Sequence, residues 1–114
     1  MTTTVETSSI PFDAASERRV LGIVMQYPDL MDRVVSNLKE AHFYLPENRL
    51  IFKRINELYR EGVKLSSTAL SRKLIQNGDM DEPSQFLKGL MDSFISRSEL
   101  EPSILSIKEE YAKR

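Results

Sequence analysis

The stretch "HFYLPENRLIFKRINELYREG", His42 to Gly62, sorts its apolar and charged residues unusually cleanly. At about 100° per residue, Ile51, Phe52, Ile55, Leu58 and Tyr59 fall in one arc, while Arg49, Lys53, Arg54, Asn56, Glu57, Arg60 and Glu61 fill the opposite side. Pro46 suits a first helical turn, where a missing N–H costs nothing, and Gly62 suits a left-handed cap at the end. The spacing predicts an amphipathic helix from Pro46 to Glu61, one face in a core and the other in water. Lys53 and Arg54 can each reach Glu57, but such surface pairs stabilise by only a few tenths of a kcal/mol, so burial must supply the rest.

The same pattern extends to both sides. Residues 1–9, rich in Thr and Ser, hold little that could offset the entropy of ordering them and read as a flexible tail. From there on, residues 10–114 read as one helical domain. Asp13 or Ser16 is the candidate N-cap of a first helix carrying Val20, Leu21, Val24 and Met25. "QYPDL" interrupts it, and Pro28 fits the first turn of a second helix with the stripe Leu30, Met31, Val34, Val35 and Leu38. After the Pro46 helix, Ser66 or Ser67 opens a fourth that turns Leu70 and Leu74 inward and stops at Asn77-Gly78. A fifth carries Phe86, Leu87, Leu90, Met91 and Phe94. A sixth carries Ile104, Ile107 and Tyr111, with Pro102 in its first turn. No segment alternates long enough for a strand and no repeat is visible. The predicted fold is all-α, a compact bundle of about six short helices.

Composition bounds the partners. Lys+Arg 16 against Asp+Glu 17 leaves no global field toward nucleic acid or an anionic membrane, so any such binding must be local. The chain has no Cys, which removes disulfides and thiolate metal sites and suits a reducing cytosol. Neither a signal peptide nor an apolar run near the roughly 18 residues of a membrane span appears, which points to a soluble, cytoplasmic protein.

Chemistry leaves few traces. His42 is the one histidine and has no partner motif for a triad, so it reads as structural. The acids of "GDMDEP", Asp79, Asp81 and Glu82, lack the glycine and distant Glu of a calcium loop and read as a solvated turn. None of Gly22, Gly62, Gly78 and Gly89 precedes Lys-Ser or Lys-Thr at the spacing of a phosphate-binding loop. Gly22 and Gly89 fall inside helices, where close packing explains them best. The pairs Arg18-Arg19, Lys53-Arg54 and Arg72-Lys73 are interleaved with acids, as on a solvated face, and no helix-turn-helix ends in a basic recognition helix. Physics alone gives a small α-bundle without an active site, hence an interaction module whose partner periodicity cannot name.

The ordered motifs add a resemblance. "SIPFDAASERRVLGIVM", with Ile10-Pro11, Glu17 and Val20-Leu21-Gly22, resembles the opening of replicative DnaB-type DNA helicases. The family's next features are an aromatic pair, an Arg-x-Ile-Phe helix, a glycine, and a leucine-rich helix ending in glycine. They are matched by Phe43-Tyr44, Arg49, Ile51-Phe52, Gly62, Leu70 and Gly78, with Phe86 and the "ILSIKEEYAKR" helix following. Departures fall at Ala15, Ser66 and Ser84-Gln85, which bear on loop shape rather than on the helical frame.

The resemblance covers roughly Ser9 to Arg114 and implies the N-terminal domain of such a helicase, separated from its linker and ATPase motor. It implies a role of contact: with other copies in a dimer or hexamer collar, with primase, and with helicase loader. It places ATP and Mg on the absent motor domain and DNA only with the full-length protein. The helicase-binding C-terminal domain of bacterial primase is the nearest rival, and a stand-alone nucleic-acid-binding adaptor the next. For the contact surface, chemistry nominates apolar residues of the last two helices: Leu87, Met91, Phe94, Ile107 and Tyr111.

Overall fold

The computed structural model describes residues 10–114; the tail reading of residues 1–9 lies outside the described residues. Six α-helices follow in order: α1 (Ala14–Gln26), α2 (Met31–Asn37), α3 (Pro46–Arg60), α4 (Ser67–Gln76), α5 (Ser84–Met91) and α6 (Leu100–Lys113). Short 3-10 turns at Pro28–Leu30, Glu40–His42 and Arg97–Glu99 lead into the loops or helices after them. No strand occurs among the described residues.

Helix α1 is the central element. Val20, Leu21, Ile23 and Val24 are at most 1% exposed, which requires cover on every side, and α2, α3, α5 and α6 all pack on it. Asp13 caps it by accepting from the Ser16 amide at 3.0 Å, so of the two candidates Asp13 is the N-cap. The Asp13 carboxylate also accepts from Ser106 Oγ on α6 at 2.7 Å, and Arg19 Nε donates to Ser103 Oγ at 3.2 Å. Residue 13 thus pairs with 106 and residue 19 with 103, which fixes α1 and α6 as antiparallel. Burial works against the Asp13 charge, but the Ser106 and Ser16 bonds outweigh it and hold the carboxyl below its usual range.

Against α5, α1 presents Gly22. A Cβ built there would sit 2.1 Å from the Leu90 carbonyl oxygen, so the crossing admits only hydrogen. Gly89 is different: its nearest neighbour would be the flexible Arg18 guanidinium at 3.3 Å, so close helix packing does not explain it.

Helix α3 runs from Pro46 to Arg60 with Ile51, Phe52, Ile55 and Leu58 in the core; Phe52 stacks on Phe43 at 4.8 Å between centroids. Gly62, at φ +75°, closes it with both bonds of a Schellman cap, Gly62 N–H to Tyr59 O and Val63 N–H to Leu58 O. Helix α4 starts on Ser66, not Ser67, and ends in the same cap at Gly78, φ +71°. That second cap delivers the next residue, Asp79, to Arg54 of α3.

Arg54 therefore departs from the expectation of a wet face. Its side chain is 14% exposed and forms a two-pronged pair with Asp79, Nε to Oδ2 at 2.6 Å and Nη2 to Oδ1 at 3.2 Å, while Nη1 holds Glu57. The Arg54 bond holds the Asp79 carboxyl below its ordinary range, so the acidic turn is an anchor, not merely solvated. Glu57 also meets Lys73 of α4 at 3.7 Å, while Lys53 makes no ion pair among the described residues. Tyr59, assigned to the apolar arc, is 41% exposed, because its hydroxyl turns out to Asp32 on α2. Phe94 lies beyond the end of α5, which stops at Met91.

Candidate interaction surface

The five nominated contact residues divide. Leu87 and Ile107 are each 1% exposed and belong to the core, which corrects their nomination: their stripes are used by α1 and its neighbours inside the domain. Met91 and Phe94 are partly buried against the same core, and Phe94 meets Tyr27 edge-on at 6.2 Å. Tyr111 alone is exposed, at 42%. A repeating apolar stripe reveals that a face is covered; it does not say whether the cover comes from the same chain.

Two regions of the surface stand out. One is centred on Tyr59, which borders two clefts. A cleft of about 390 Å³ is lined by Met31, Ile55, Val63 and Leu65 among others, and a second of about 480 Å³ by Val35, Leu38 and Ala41. Val63, the residue after the α3 cap, is exposed beside Tyr59. Periodicity missed this region because Tyr59 fits the apolar arc; the signal that could have marked it was a hydroxyl at the arc's edge, followed by Val63 past the cap.

The other region surrounds the turn from His42 to Leu45 that carries the chain into α3. Glu17, fully buried on α1, accepts from Tyr44 N–H at 2.7 Å, Leu45 N–H at 3.3 Å and Asn48 Nδ2 at 3.0 Å. Three donors satisfy a carboxylate that would otherwise be costly to bury. The turn's carbonyls are met from outside: Arg49 donates to Phe43 O at 3.1 Å and Tyr44 O at 2.9 Å, and Arg114 donates to His42 O at 3.0 Å and Pro11 O at 2.9 Å. Glu17, Phe43, Tyr44, Arg49, Ile51 and Phe52, which carried the sequence resemblance, thus converge on one turn and the helix it starts.

Aromatic rings line this turn. Phe12 stacks on Tyr44 at 4.7 Å, His42 packs on Tyr111 at 4.5 Å, and the Arg114 guanidinium lies over both tyrosines, 5.2 and 5.4 Å from their centroids. His42 is structural, as read: its Nδ1 accepts from Lys39 N–H at 2.9 Å. Burial, with the charges of Lys108, Arg114 and Lys39, draws its pKa below the usual histidine value, against the raising effect of that hydrogen bond. Of the remaining matched residues, Leu21 and Leu70 are core, Gly22 serves the α1–α5 crossing, Gly62 and Gly78 serve the caps, and Phe86 is half-covered by Arg18. Among the described residues, no three His, Asp or Glu side chains gather where they could hold a metal ion, and no helix is long and apolar enough to cross a membrane.

The fold defines a small all-α domain wrapped around a central helix, with its motif residues placed in packing and in one rigid turn. The model of the DnaB-like helicase N-terminal domain matches residues 9–109, and the chain belongs to that family. Among solved structures it is similar to the N-terminal domain of DnaB helicase from Mycobacterium tuberculosis. The TM-score is 0.87 at 21% identity, covering 93% of this chain and 77% of that one. No curated protein sequence matches it. Between the two helical domains weighed from sequence, helicase and primase, the family model names the helicase.

Proposed function

We propose that this domain acts by protein contact in a replicative helicase, contributing to dimer or hexamer collar assembly and docking primase or helicase loader in the cytoplasm. Nucleotide chemistry falls to a motor domain, with ATP and Mg, and unwinding to the full-length protein. Family membership supports the setting. The observation that carries the reading is the apolar surface the fold leaves uncovered around Tyr59 and Val63, flanked by two clefts at the α2–α3 seam. Val63 is 42% exposed and contributes nothing to the core, so a charge placed there leaves folding intact while opposing an apolar contact.

The test is a fluorescence titration of the labelled chain with primase helicase-binding domain and, separately, with loader, alongside light scattering for self-association. Val63→Glu is expected to weaken at least one of these associations tenfold or more without lowering the melting temperature. Val63→Glu and Tyr111→Glu both binding and assembling like the parent would sink the reading.

A further inference from the structure

Most cations of this chain are answered by carboxylates: Arg33 by Glu101, Arg54 by Asp79, Lys73 by Glu61, Lys88 by Asp92, Arg97 by Asp29 and Lys113 by Glu110. Around the His42–Leu45 turn the pattern changes. Lys39, Arg49, Lys108 and Arg114 take part in no ion pair among the described residues. The two arginines are held in place by backbone carbonyls, which orient them without neutralising them. Lys39 and Lys108 are exposed, and both bear electrostatically on His42, which ties them to the same spot. Lys108 also lies one turn before Tyr111 on α6.

The nearby acids do not cancel this charge. Glu17 is buried and committed to the turn's N–H groups, and Glu110 is paired with Lys113 at 3.0 Å; Glu40 and Glu47 flank the segment at its ends. Interleaved with the cations are flat surfaces, Tyr111 exposed and Tyr44 half-buried, already oriented by the Arg114 guanidinium between them. Unpaired cations set among exposed aromatic faces are the chemistry that holds single-stranded nucleic acid, phosphates on the cations and bases on the rings. An acidic peptide would use the charge and leave the rings idle.

We propose that the surface formed by Lys39, Arg49, Lys108 and Arg114 with Tyr44 and Tyr111 binds single-stranded nucleic acid without sequence preference. This goes beyond the contact role above, in which DNA is met only through the full-length protein, and does not depend on it. The surface lies away from Val63, so the two sets of variants are separable.

The experiment is fluorescence anisotropy of a labelled 20-nucleotide oligo-dT titrated with the chain over a series of salt concentrations. Binding at low salt is expected to weaken with a log–log slope of about −2 to −3, the value for three to four phosphate contacts on a single strand. Lys39→Glu/Lys108→Glu should reduce affinity tenfold or more and flatten that slope. Tyr111→Ala should weaken binding several-fold with the slope unchanged, because a ring contact releases no counterions. Circular dichroism melts confirm that each variant is folded; the two lysines hold nothing in place, so that pair reports on binding alone. Absence of binding at 20 mM salt, an equal loss from Arg72→Glu on α4, or equally tight capture of a polyglutamate peptide would each overturn the proposal.

Discussion

At Gly22, α1 meets α5 so closely that the next atom is a backbone carbonyl, whereas five residues earlier, at Glu17, it meets the 42–48 segment through a carboxylate gathering three N–H donors. Both contacts are buried, yet they are specified in opposite ways. The first is defined by missing atoms and admits nothing in exchange. The second is defined by acceptor atoms in the right place, so a neutral acceptor can reproduce part of it.

The sharpest way to break this contrast is Gly22→Ala. The methyl carbon would lie 2.1 Å from Leu90 O, and main-chain atoms cannot step aside as a side chain can. Even after the roughly 1 kcal/mol that alanine gains in helix propensity, a net loss of about 3 kcal/mol or more is expected, lowering the melting temperature by more than about 10 °C. A variant melting with the parent would show that the crossing is not close.

Glu17→Ala comes next, at about 2–3 kcal/mol in urea unfolding, because it strands two backbone amides and Asn48. Glu17→Gln keeps one acceptor and should lose less than half as much; equal losses would mean that the charge, rather than the acceptor geometry, holds the turn.

A third test moves to the Arg54–Asp79 pair, polar like Glu17 but reaching the surface, where Asp79→Asn should cost about 1–2 kcal/mol at pH 7. The Asp79 carboxyl lies below its ordinary value of 3.8 when folded, so the unfolded chain takes up the proton first as pH falls. The contribution is full well above 3.8 and is lost as the pH drops through 3.8 and on through the lower folded value. Urea midpoints at pH 7 and pH 3 should therefore converge for parent and Asp79→Asn.

The smallest effect is expected at Gly62. No atom lies within 4 Å of a Cβ added there, so Gly62→Ala meets only the backbone cost of φ +75°, about 1–2 kcal/mol, measurable as a shift in melting temperature. A glycine kept for conformation is thereby separated from Gly22, a glycine kept for space.

The sequence made legible whatever a few neighbouring residues decide. Asp13, Pro46, Ser66, Gly62 and Gly78 act within one turn of themselves, and each marks a helix end in the structure. The stripes of α3 and α4 were equally readable, since a period of 3.6 is a local property. Hidden from that reading were contacts between residues far apart in sequence: Glu17 with Tyr44, Arg54 with Asp79, Arg114 with Pro11 and His42. Glu17 and Arg49 stood out through family resemblance without a physical reason; the turn they clamp supplies one. The candidate surface was the least legible part. Leu87 and Ile107 carry the same apolar pattern as any docking residue, and only the packing of α1 shows them to be interior.

The antiparallel seam between α1 and α6 places residue 11 beside residue 114, joined by the Arg114–Pro11 hydrogen bond. A tether pulling on these two points would load that bond first, then Asp13–Ser106, then Arg19–Ser103, one after another instead of all together. Tension entering the domain there opens it like a zipper from one end, at a far lower force than sliding the two helices past each other would demand.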